Sequence, residues 1–366
     1  MREEEWLDEK IRACPIYEPG LPIETVARNL GLDPAKIVKL ASNENPLGPS
    51  PRAVEAVSRC LQSLHDYPDG GTFRFREKLS QKLGLDPSQI LPGNGSNEIL
   101  EMLATAYLKP GQNAVFGQYG FVVYRLATLH AKAEMRPAAM PDLVHDLDKM
   151  RELIDEDTRL VFLANPNNPT GDFLEPEKII SFVKSLPEQV LFCLDEAYVD
   201  YSEDPVDLRP LIREGRRVIC MRTFSKIHGL AGLRIGYAYS TPEVIANLQR
   251  VRQPFNVSSA AQAGALGALD DEEHQIKTRK LNRESLDYLE GALQSLGVPV
   301  RRTQANFVLI EVPSGKDCFD SLLREGVIVR PLGGYGLPKH IRVSTGTMEQ
   351  NQLFMEVFSR WFHNLK

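Results

Sequence analysis

The sequence predicts an α/β fold: a large domain built on a mostly parallel central sheet, followed by a smaller α+β domain. Three observations support this prediction. From Ile90 onward, short apolar runs alternate with amphipathic helical segments, as in βαβ units. An alanine-rich and then strongly charged helical stretch from Ala260 to about Leu296 separates this region from the rest of the chain. The length of 366 residues favours two domains over one.

Composition limits the class of protein. The chain is 42% hydrophobic and 25% charged, which is ordinary for a globular protein. A net charge of −6 argues against nucleic acid or an anionic membrane as the main partner. Since no apolar run could span a membrane and the amino terminus is acidic, we expect a cytoplasmic location. The five cysteines are scattered and form no Cys-x-x-Cys pair, so we predict neither a disulfide framework nor a metal site.

The amino-terminal part, residues 1–40, is predicted to be an arm. It has a proline-rich stretch and then an amphipathic helix at Ile23–Leu30 that stops at Gly31. Such an arm needs a surface to become ordered, and we expect it to pack on the small domain or on a partner subunit.

Residues 41–255 are assigned to the large domain. A helix is expected from Pro51 to about Leu64, followed by a long turn over 65–71. Another helix, Ile99–Leu108, follows a glycine-rich turn. Four apolar runs are predicted to be buried strands: Asn113–Phe116, Arg159–Ala164, Val190–Leu194 and Val218–Met221.

Residues 256–366 are assigned to the small domain. After the long helical stretch, β-like runs at 306–311, 327–330 and 341–344 alternate with a helix near Phe319–Arg324, and a last helix ends the chain. This pattern indicates an α+β module.

Polar residues that carry chemistry follow each predicted strand of the large domain. Because parallel strands end at one edge of a sheet, we expect these residues to converge. They are Gly95, Ser96 and Asn97 at the start of a helix, Tyr119, Asn168, Asp195, Tyr198, Ser225, Lys226 and Arg234. Taken singly each has a simpler explanation: Ser96 as an N-cap, Tyr119 as a core ring, or Lys226 as a partly exposed loop residue.

Together these residues match the functional groups of pyridoxal phosphate. The helix start offers free amides to a phosphate, with Ser225 and Arg234 beside it. A lysine near a core tends toward the reactive neutral amine, so Lys226 is a candidate for a Schiff base with the aldehyde. Asp195 would hold the proton of the pyridine nitrogen. Asn168 and Tyr198 would donate to the phenolic oxygen, and Tyr119 would stack on the ring.

Other phosphate motifs fit less well. Glu98 stands where a dinucleotide-binding loop needs its third glycine, and the sequence has no Gly-x-x-x-x-Gly-Lys-Ser/Thr run.

The ordered motifs resemble those of the fold-type I aminotransferases, and within them the class II histidinol-phosphate aminotransferase family. The resemblance covers nearly the whole chain and rests on Asn43–Pro46, Tyr67–Gly70, Gly95–Glu98, Asn165–Gly171, Asp195–Tyr198, Thr223–Lys226, Gly229–Tyr237 and Arg342–Thr347. It implies a homodimer that binds pyridoxal phosphate and transfers an amino group, in ping-pong fashion, between histidinol phosphate and 2-oxoglutarate or glutamate in histidine biosynthesis.

The resemblance also implies roles for residues outside the strand ends. Tyr67 would reach the phosphate from the other subunit. Tyr17, Asn43, Asn168, Arg330 and Arg342 would contact the substrate. From the residues alone, ordinary surface ion pairing is the simpler explanation for Arg330.

Three alternatives share or reuse this scaffold. The donor could be phenylalanine or tyrosine, since Asn97, Gln118 and Ile227-His228 depart from the commoner family pattern. The chain could be a phosphoamino-acid decarboxylase that needs no keto-acid acceptor. It could also be the ligand-sensing part of a transcription regulator, although we expect too little sequence before the first motif for a DNA-binding module.

Overall fold

The computed structural model describes residues 6–16 and 20–365. Its helices are α1 Glu9–Arg12, α2 Ile23–Leu30, α3 Pro51–Cys60, α4 Phe73–Leu83, α5 Ser96–Tyr107, α6 Val122–His130, α7 Leu147–Glu152, α8 Pro176–Lys184, α9 Arg209–Arg213, α10 Pro242–Gln249, α11 Ser259–Leu269, α12 Glu272–Ser295, α13 Gly315–Arg324 and α14 Met348–His363. Its strands are β1 Val38–Lys39, β2 Ile90–Gly93, β3 Asn113–Gly117, β4 Glu134–Ala138, β5 Thr158–Ala164, β6 Leu191–Asp195, β7 Val218–Thr223, β8 Gly236–Ser240, β9 Val300–Arg301, β10 Phe307–Glu311, β11 Val327–Ile328, β12 Arg330–Pro331 and β13 His340–Ser344.

The larger sheet confirms the predicted architecture. Among the described residues it has seven strands in the order β2-β8-β7-β6-β5-β3-β4. Strand β8 runs antiparallel to both of its neighbours, and the other adjacent pairs are parallel. The carboxyl ends of β2, β3, β5, β6 and β7 therefore lie along one edge, which is where α/β proteins place their ligands.

Both faces of this sheet are covered by helices. Successive residues of the central strands point to opposite faces, so Phe192 and Cys193 belong to different apolar clusters. One cluster includes α4, α8 and α11, and the other includes α5, α6 and α10. Burial on both faces explains why these strands read as continuous apolar runs rather than as alternating ones.

The carboxyl-terminal region has its own sheet and core. Strands β12, β13, β10 and β9 form an antiparallel sheet in that order, and α12, α13 and α14 contribute to the same apolar cluster. Strand β1 pairs in parallel with β11, so the chain segment before the large sheet joins this region. Helix α2 packs there too, with Val26 and Ala27 buried next to Ile328.

Several elements differ from the sequence predictions, among them two strands and one helix. The strands β4 and β8 were not predicted: β4 is only partly buried, and β8 lies inside a glycine-containing motif that reads as a loop. The predicted continuous helix from Ala260 to Leu296 is two helices. It breaks at Asp270 and Asp271, where the Asp271 carboxylate accepts hydrogen bonds from the Ser50 hydroxyl and from the backbone of His274 at the start of α12.

Within the described part of the chain, no helix combines the length and the apolar character that a membrane crossing requires.

Candidate active site

One cavity opens at the carboxyl edge of the large sheet, between that sheet and the smaller one. Its volume is about 270 Å³. The adjacent strands β5, β6 and β7 deliver Asn168, Asp195 and Lys226 to it, and the smaller sheet delivers Arg330 and Arg342. Of the residues predicted from sequence, eleven line the cavity: Asn43, Ser96, Asn97, Asn168, Asp195, Tyr198, Ser225, Lys226, Arg234, Arg330 and Arg342.

Asp195 is the buried carboxylate of the site. It is the last residue of β6 and is only 4% exposed. Oδ1 accepts from the backbone amide of Ala197 at 3.0 Å, and Oδ2 accepts from the hydroxyl of Tyr124 at 2.7 Å. Burial raises the pKa of Asp195 to about 6, against the opposing effect of these hydrogen bonds. The site therefore holds a carboxylate that a positive charge in the cavity would stabilise.

Lys226 lies in the short turn after β7. Its ammonium donates to the backbone carbonyl of Ser42 at 3.3 Å and lies 5.6 Å from the ring centroid of Tyr198. Burial, and then the positive charge of Arg342, lower the pKa of Lys226 to about 8. At a pH near 8 a large fraction of this amine is neutral and nucleophilic, which an exposed lysine would not be.

The hydroxyl of Tyr198 is held by the segment that follows β1. Asn43 Nδ2 donates to it at 2.8 Å, and the Asn43 side chain is fixed in turn by Ser344, whose hydroxyl donates to Asn43 Oδ1 at 2.7 Å. Burial raises the pKa of Tyr198 to about 12, so the hydroxyl keeps its proton. Because Asn43 occupies an acceptor position of the oxygen, the Tyr198 proton is available to a ligand.

Asn168 and Arg342 meet across the cavity. Arg342 Nη1 donates to Asn168 Oδ1 at 2.5 Å, and Nη2 donates to the backbone carbonyl of Ala41 at 2.6 Å. With its carbonyl oxygen engaged in this way, the amide of Asn168 has its Nδ2 group left to donate to a ligand. The guanidinium of Arg342 is 7% exposed and links the two sheets at the floor of the site.

The amino terminus of α5 forms the opposite end of the cavity. Gly95 precedes the helix with φ +77°, and no side chain caps its first amides. The positive φ favours glycine, and a β-carbon on Gly95 would displace the guanidinium of Arg234 from its present position. Arg234 Nη1 also lies 3.4 Å from the hydroxyl of Ser225. Free amides, a hydroxyl and a guanidinium together form a site for a phosphate.

Of the two aromatic rings near the end of β3, Phe121 lines the cavity and Tyr119 does not. The Tyr119 ring packs instead in an apolar cluster with Leu309 and Leu332 of the smaller sheet. Its backbone carbonyl accepts from Asn167 Nδ2 at 3.1 Å. The structure thus places the predicted stacking residue beside the site and a different aromatic ring within it.

Three residues implied by the family resemblance differ in where they lie. Tyr67 is 82% exposed, outside the cavity of its own chain, and stacks on Phe255 with ring centroids 4.7 Å apart. Tyr17 lies outside the described residues. Arg330 lines the cavity and is half-buried, so it is not an ordinary surface residue.

Sequence reasoning missed Tyr124 and Phe121. Tyr124 lies in helix α6 and is fully buried, with its pKa raised well above the usual value by burial and by Asp195. A polar tyrosine in an otherwise apolar helix face could have marked it, since a buried hydroxyl needs a partner. No local pattern distinguishes Phe121 from Tyr119.

The arrangement fits pyridoxal phosphate, the cofactor expected from the sequence. The uncapped helix start offers a phosphate site, Lys226 offers an amine, and Asp195 offers a carboxylate whose pKa is raised by burial. Neutral donors from Asn168 and Tyr198 lie between these two ends.

Comparison with known proteins gives a consistent result. Residues 35–358 match the family described as aminotransferase class I and II. A histidinol-phosphate aminotransferase 2 of Pseudomonas aeruginosa is 46% identical over 348 residues, covering 94% of each chain. The histidinol-phosphate aminotransferase of Akkermansia muciniphila is 42% identical, over 98% of this chain and 99% of its own length.

A solved structure shares the fold. The histidinol-phosphate aminotransferase from Sinorhizobium meliloti, crystallised in complex with pyridoxal-5'-phosphate, superposes with a TM-score of 0.90 at 25% identity, covering 99% of this chain and 98% of its own.

Proposed function

The chain belongs to the class I and II aminotransferases, and from that premise we propose that it transfers an amino group between histidinol phosphate and 2-oxoglutarate, with pyridoxal phosphate as cofactor, in histidine biosynthesis. The observation that carries the proposal is the convergence, at one sheet edge, of a lysine with a lowered pKa, a buried carboxylate and an uncapped helix start. The relatives named for histidinol phosphate support the choice of donor.

Bound at this site, pyridoxal phosphate supplies an aldehyde for an amine and a ring that accepts electrons from the substrate's α-carbon. In this proposal the amine of Lys226 would hold the cofactor and would also serve as the base that moves the proton at that carbon. Its lowered pKa suits both roles, because both require the neutral amine.

Asp195 pairs with the pyridine nitrogen and keeps that nitrogen protonated. A cation beside this buried carboxylate offsets the cost of its burial, and Tyr124 and Ala197 hold its two oxygens in place. Asn168 and Tyr198 would donate to the cofactor's phenolic oxygen, and Phe121, which lines the cavity where Tyr119 does not, would supply the aromatic contact to the cofactor ring.

The phosphate of the cofactor is bound by backbone amides at the start of α5, by the side chains of Ser96, Asn97, Ser225 and Arg234, and by the close approach that Gly95 permits. These donors include the guanidinium of Arg234, which gives the phosphate a strong charge-assisted hydrogen bond at physiological pH.

Arg330 and Arg342 bind the anionic groups of the substrates. Histidinol phosphate brings a phosphate and 2-oxoglutarate brings two carboxylates, and a guanidinium can donate two hydrogen bonds to the oxygens of either group. Asn43 and Tyr17 complete the substrate side of the site. Since both substrates use the same groups in turn, the reaction proceeds in ping-pong fashion.

We also propose a homodimer in which Tyr67 reaches the phosphate site of the partner subunit. The support is a set of large apolar side chains that a single chain leaves exposed. Near Tyr67 in the sequence, Leu61 is 54% exposed, Leu64 52% and Phe73 68%, and Phe255, which stacks on the Tyr67 ring, is 46% exposed. Exposed apolar patches mark protein interfaces. The proposal also includes the division of the chain into an arm over 1–40, a large domain over 41–255 and a small domain over 256–366. It includes the cytoplasmic location as well.

The test is a panel of amino donors. Purified protein loaded with pyridoxal phosphate is assayed for 2-oxoglutarate-dependent turnover of histidinol phosphate, phenylalanine and tyrosine, with release of carbon dioxide scored alongside. We expect the highest kcat/KM with histidinol phosphate and no carbon dioxide. A clearly higher kcat/KM with phenylalanine or tyrosine would refute the proposed donor.

A further inference from the structure

A histidine and an aspartate form a buried pair just outside the cavity. His145 lies in the segment between β4 and α7, and Asp172 lies in the loop after β5. Each residue is 5% exposed, and neither lines the cavity. His145 Nδ1 lies 2.7 Å from Asp172 Oδ2, and the backbone amide of His145 donates to the same oxygen at 3.0 Å.

A buried pair of this kind is not expected to add to the stability of the fold by itself. Removing a carboxylate and an imidazole from water is costly, and apolar residues of similar volume often stabilise a protein as well or better. Burial alone would raise the pKa of Asp172, but the contacts with His145 hold the pKa below its usual value, so the carboxylate stays ionised. The pair therefore calls for a reason other than core packing.

From Asp172, hydrogen bonds lead to the loop that carries Asn168. The hydroxyl of Thr170 donates to Asp172 Oδ1 and accepts from Asn167 Nδ2, the second bond being 2.7 Å long. The backbone amide of Asn167 donates to the carbonyl of Asp172 at 2.9 Å. The loop residues on both sides of Asn168 are thus tied to Asp172, and Asn168 itself lines the cavity.

From His145, contacts lead to the loop that carries Phe121. The ring lies over the last residue of β3, where a β-carbon on Gly117 would be 2.6 Å from Nε2. The same β-carbon would be 2.7 Å from the sulfur of Met140, and that sulfur accepts from the backbone amide of Tyr119 at 3.3 Å. Asn167 Nδ2 also donates to the carbonyl of Tyr119, so the two loops are joined directly.

We propose that the His145–Asp172 pair positions Asn168 and Phe121, the two side chains that the neighbouring loops present to the cofactor. Neither member touches the cavity, so both act through other residues. The inference rests on the proposed function, because it assigns a role toward the cofactor that the function requires. It goes further because it names the contacts between the carboxyl ends of β3 and β5 as what holds Asn168 and Phe121 in position.

The experiment compares three variants of the pair and its relay with one matched control. Asp172→Asn removes the carboxylate and His145→Gln removes the imidazole, each with a side chain of similar shape. Thr170→Val interrupts the relay with nearly the same volume. The control is Thr158→Val. Thr158 donates to Asn113 Oδ1 at 2.8 Å and joins the same two strands, β3 and β5, at their opposite ends.

Three quantities are measured on the cofactor-loaded proteins: the thermal stability, kcat and KM separately, and the pH midpoint at which the visible absorption of the bound cofactor changes. That midpoint reports on donors to the phenolic oxygen and does not depend on turnover. We expect the three variants to shift the midpoint and to lower kcat by about tenfold to 100-fold, as for a small misplacement of positioning groups, with smaller changes in KM. Thr158→Val loses stability and leaves kcat and the midpoint unchanged.

The inference is overturned if the folded variants lose stability but keep the wild-type midpoint and kcat. Thr170→Val replaces an uncharged residue with one of nearly the same volume. If the other two variants fail to fold, its kcat and pH midpoint test the inference. Failure of the proposed function looks different, since wild-type protein would then bind no pyridoxal phosphate or transfer no amino group.

Discussion

The hydroxyl of Tyr124 donates a hydrogen bond of 2.7 Å to the carboxylate of Asp195, from a helix on one face of the sheet to the end of its central strand. Both groups are buried, and burial raises the pKa of each. The bond fixes the carboxylate that we propose to face the pyridine nitrogen. Removing this bond also tests how much it stabilises the buried carboxylate in its ionised form.

We predict that Tyr124→Phe destabilises the cofactor-free protein more at high pH than at low pH. Well above pH 6, Asp195 is ionised and loses a charge-assisted bond, at a cost of about 1–3 kcal/mol. Below that pH the carboxyl is protonated and loses only a neutral bond, so the cost is smaller. The sign follows because the folded pKa of Asp195 is raised above 3.8, and the variant raises it further. Urea unfolding at several pH values measures the difference, and an equal loss at all pH values would contradict the prediction.

The amine of Lys226 should control how quickly the cofactor-free protein takes up pyridoxal phosphate. The pKa of Lys226 is lowered to about 8, so the neutral fraction, and with it the rate of colour formation, rises as the pH passes through about 8. An unperturbed lysine would give the same rise near pH 10.4. Stopped-flow absorbance measures the rate, and Lys226→Ala is the control that should bind without forming the covalent adduct. A midpoint near that of free lysine would show that the amine is not desolvated.

Phe121 and Tyr119 can be distinguished by matched substitutions. We expect Phe121→Leu to raise the Kd for pyridoxal phosphate about tenfold, because it removes an aromatic contact worth roughly 1 kcal/mol together with ring area. Tyr119→Leu removes a ring from the cluster with Leu309 and Leu332, so it should lower thermal stability and leave the Kd nearly unchanged. Equilibrium dialysis gives both Kd values. The opposite ranking would restore Tyr119 as the ring that stacks on the cofactor.

The proposed dimer predicts complementation between two inactive variants. Lys226→Ala lacks the amine, and Tyr67→Ala lacks the ring that we place in the partner's phosphate site. In a mixed dimer one of the two sites has both residues intact, so dissociating and reassociating an equal mixture should restore about a quarter of wild-type activity. Each variant alone is the control. Sedimentation analysis must show dimers, and dimers without any restored activity would place Tyr67 in its own subunit's site or in neither.

Much of the fold followed from pattern alone. The predicted strands at β3, β5, β6 and β7 lie within two residues of the observed ones, because strands buried on both faces have long apolar runs that few other structures share. Strand β8 was missed because its antiparallel pairing beside β7 and β2 is a property of the assembled sheet. The end of α11 was missed because a tertiary contact, from Ser50 to Asp271, sets it.

Site residues could be predicted from the sequence where burying that type of residue costs free energy that only a function would justify. A carboxylate at the end of a buried strand and a lysine beside the core are both of this kind, and Asp195 and Lys226 do line one cavity. The aromatic residue was not predictable in the same way. Tyr119 and Phe121 are two residues apart in a loop, and the contacts around it, of Asn167 with the Tyr119 carbonyl and of His145 with Gly117 at the end of β3, are formed only in the folded chain.

The most direct test of the account is a single half-reaction. Protein loaded with pyridoxal phosphate is mixed with histidinol phosphate in the absence of 2-oxoglutarate, and the visible absorbance is followed. We predict that the colour is lost as the amino group passes to the cofactor, with one keto product formed per site, and that 2-oxoglutarate restores the colour with formation of one glutamate. Colour that persists with histidinol phosphate but disappears with phenylalanine would contradict the proposed substrate, and a protein that never acquires colour would contradict the account as a whole.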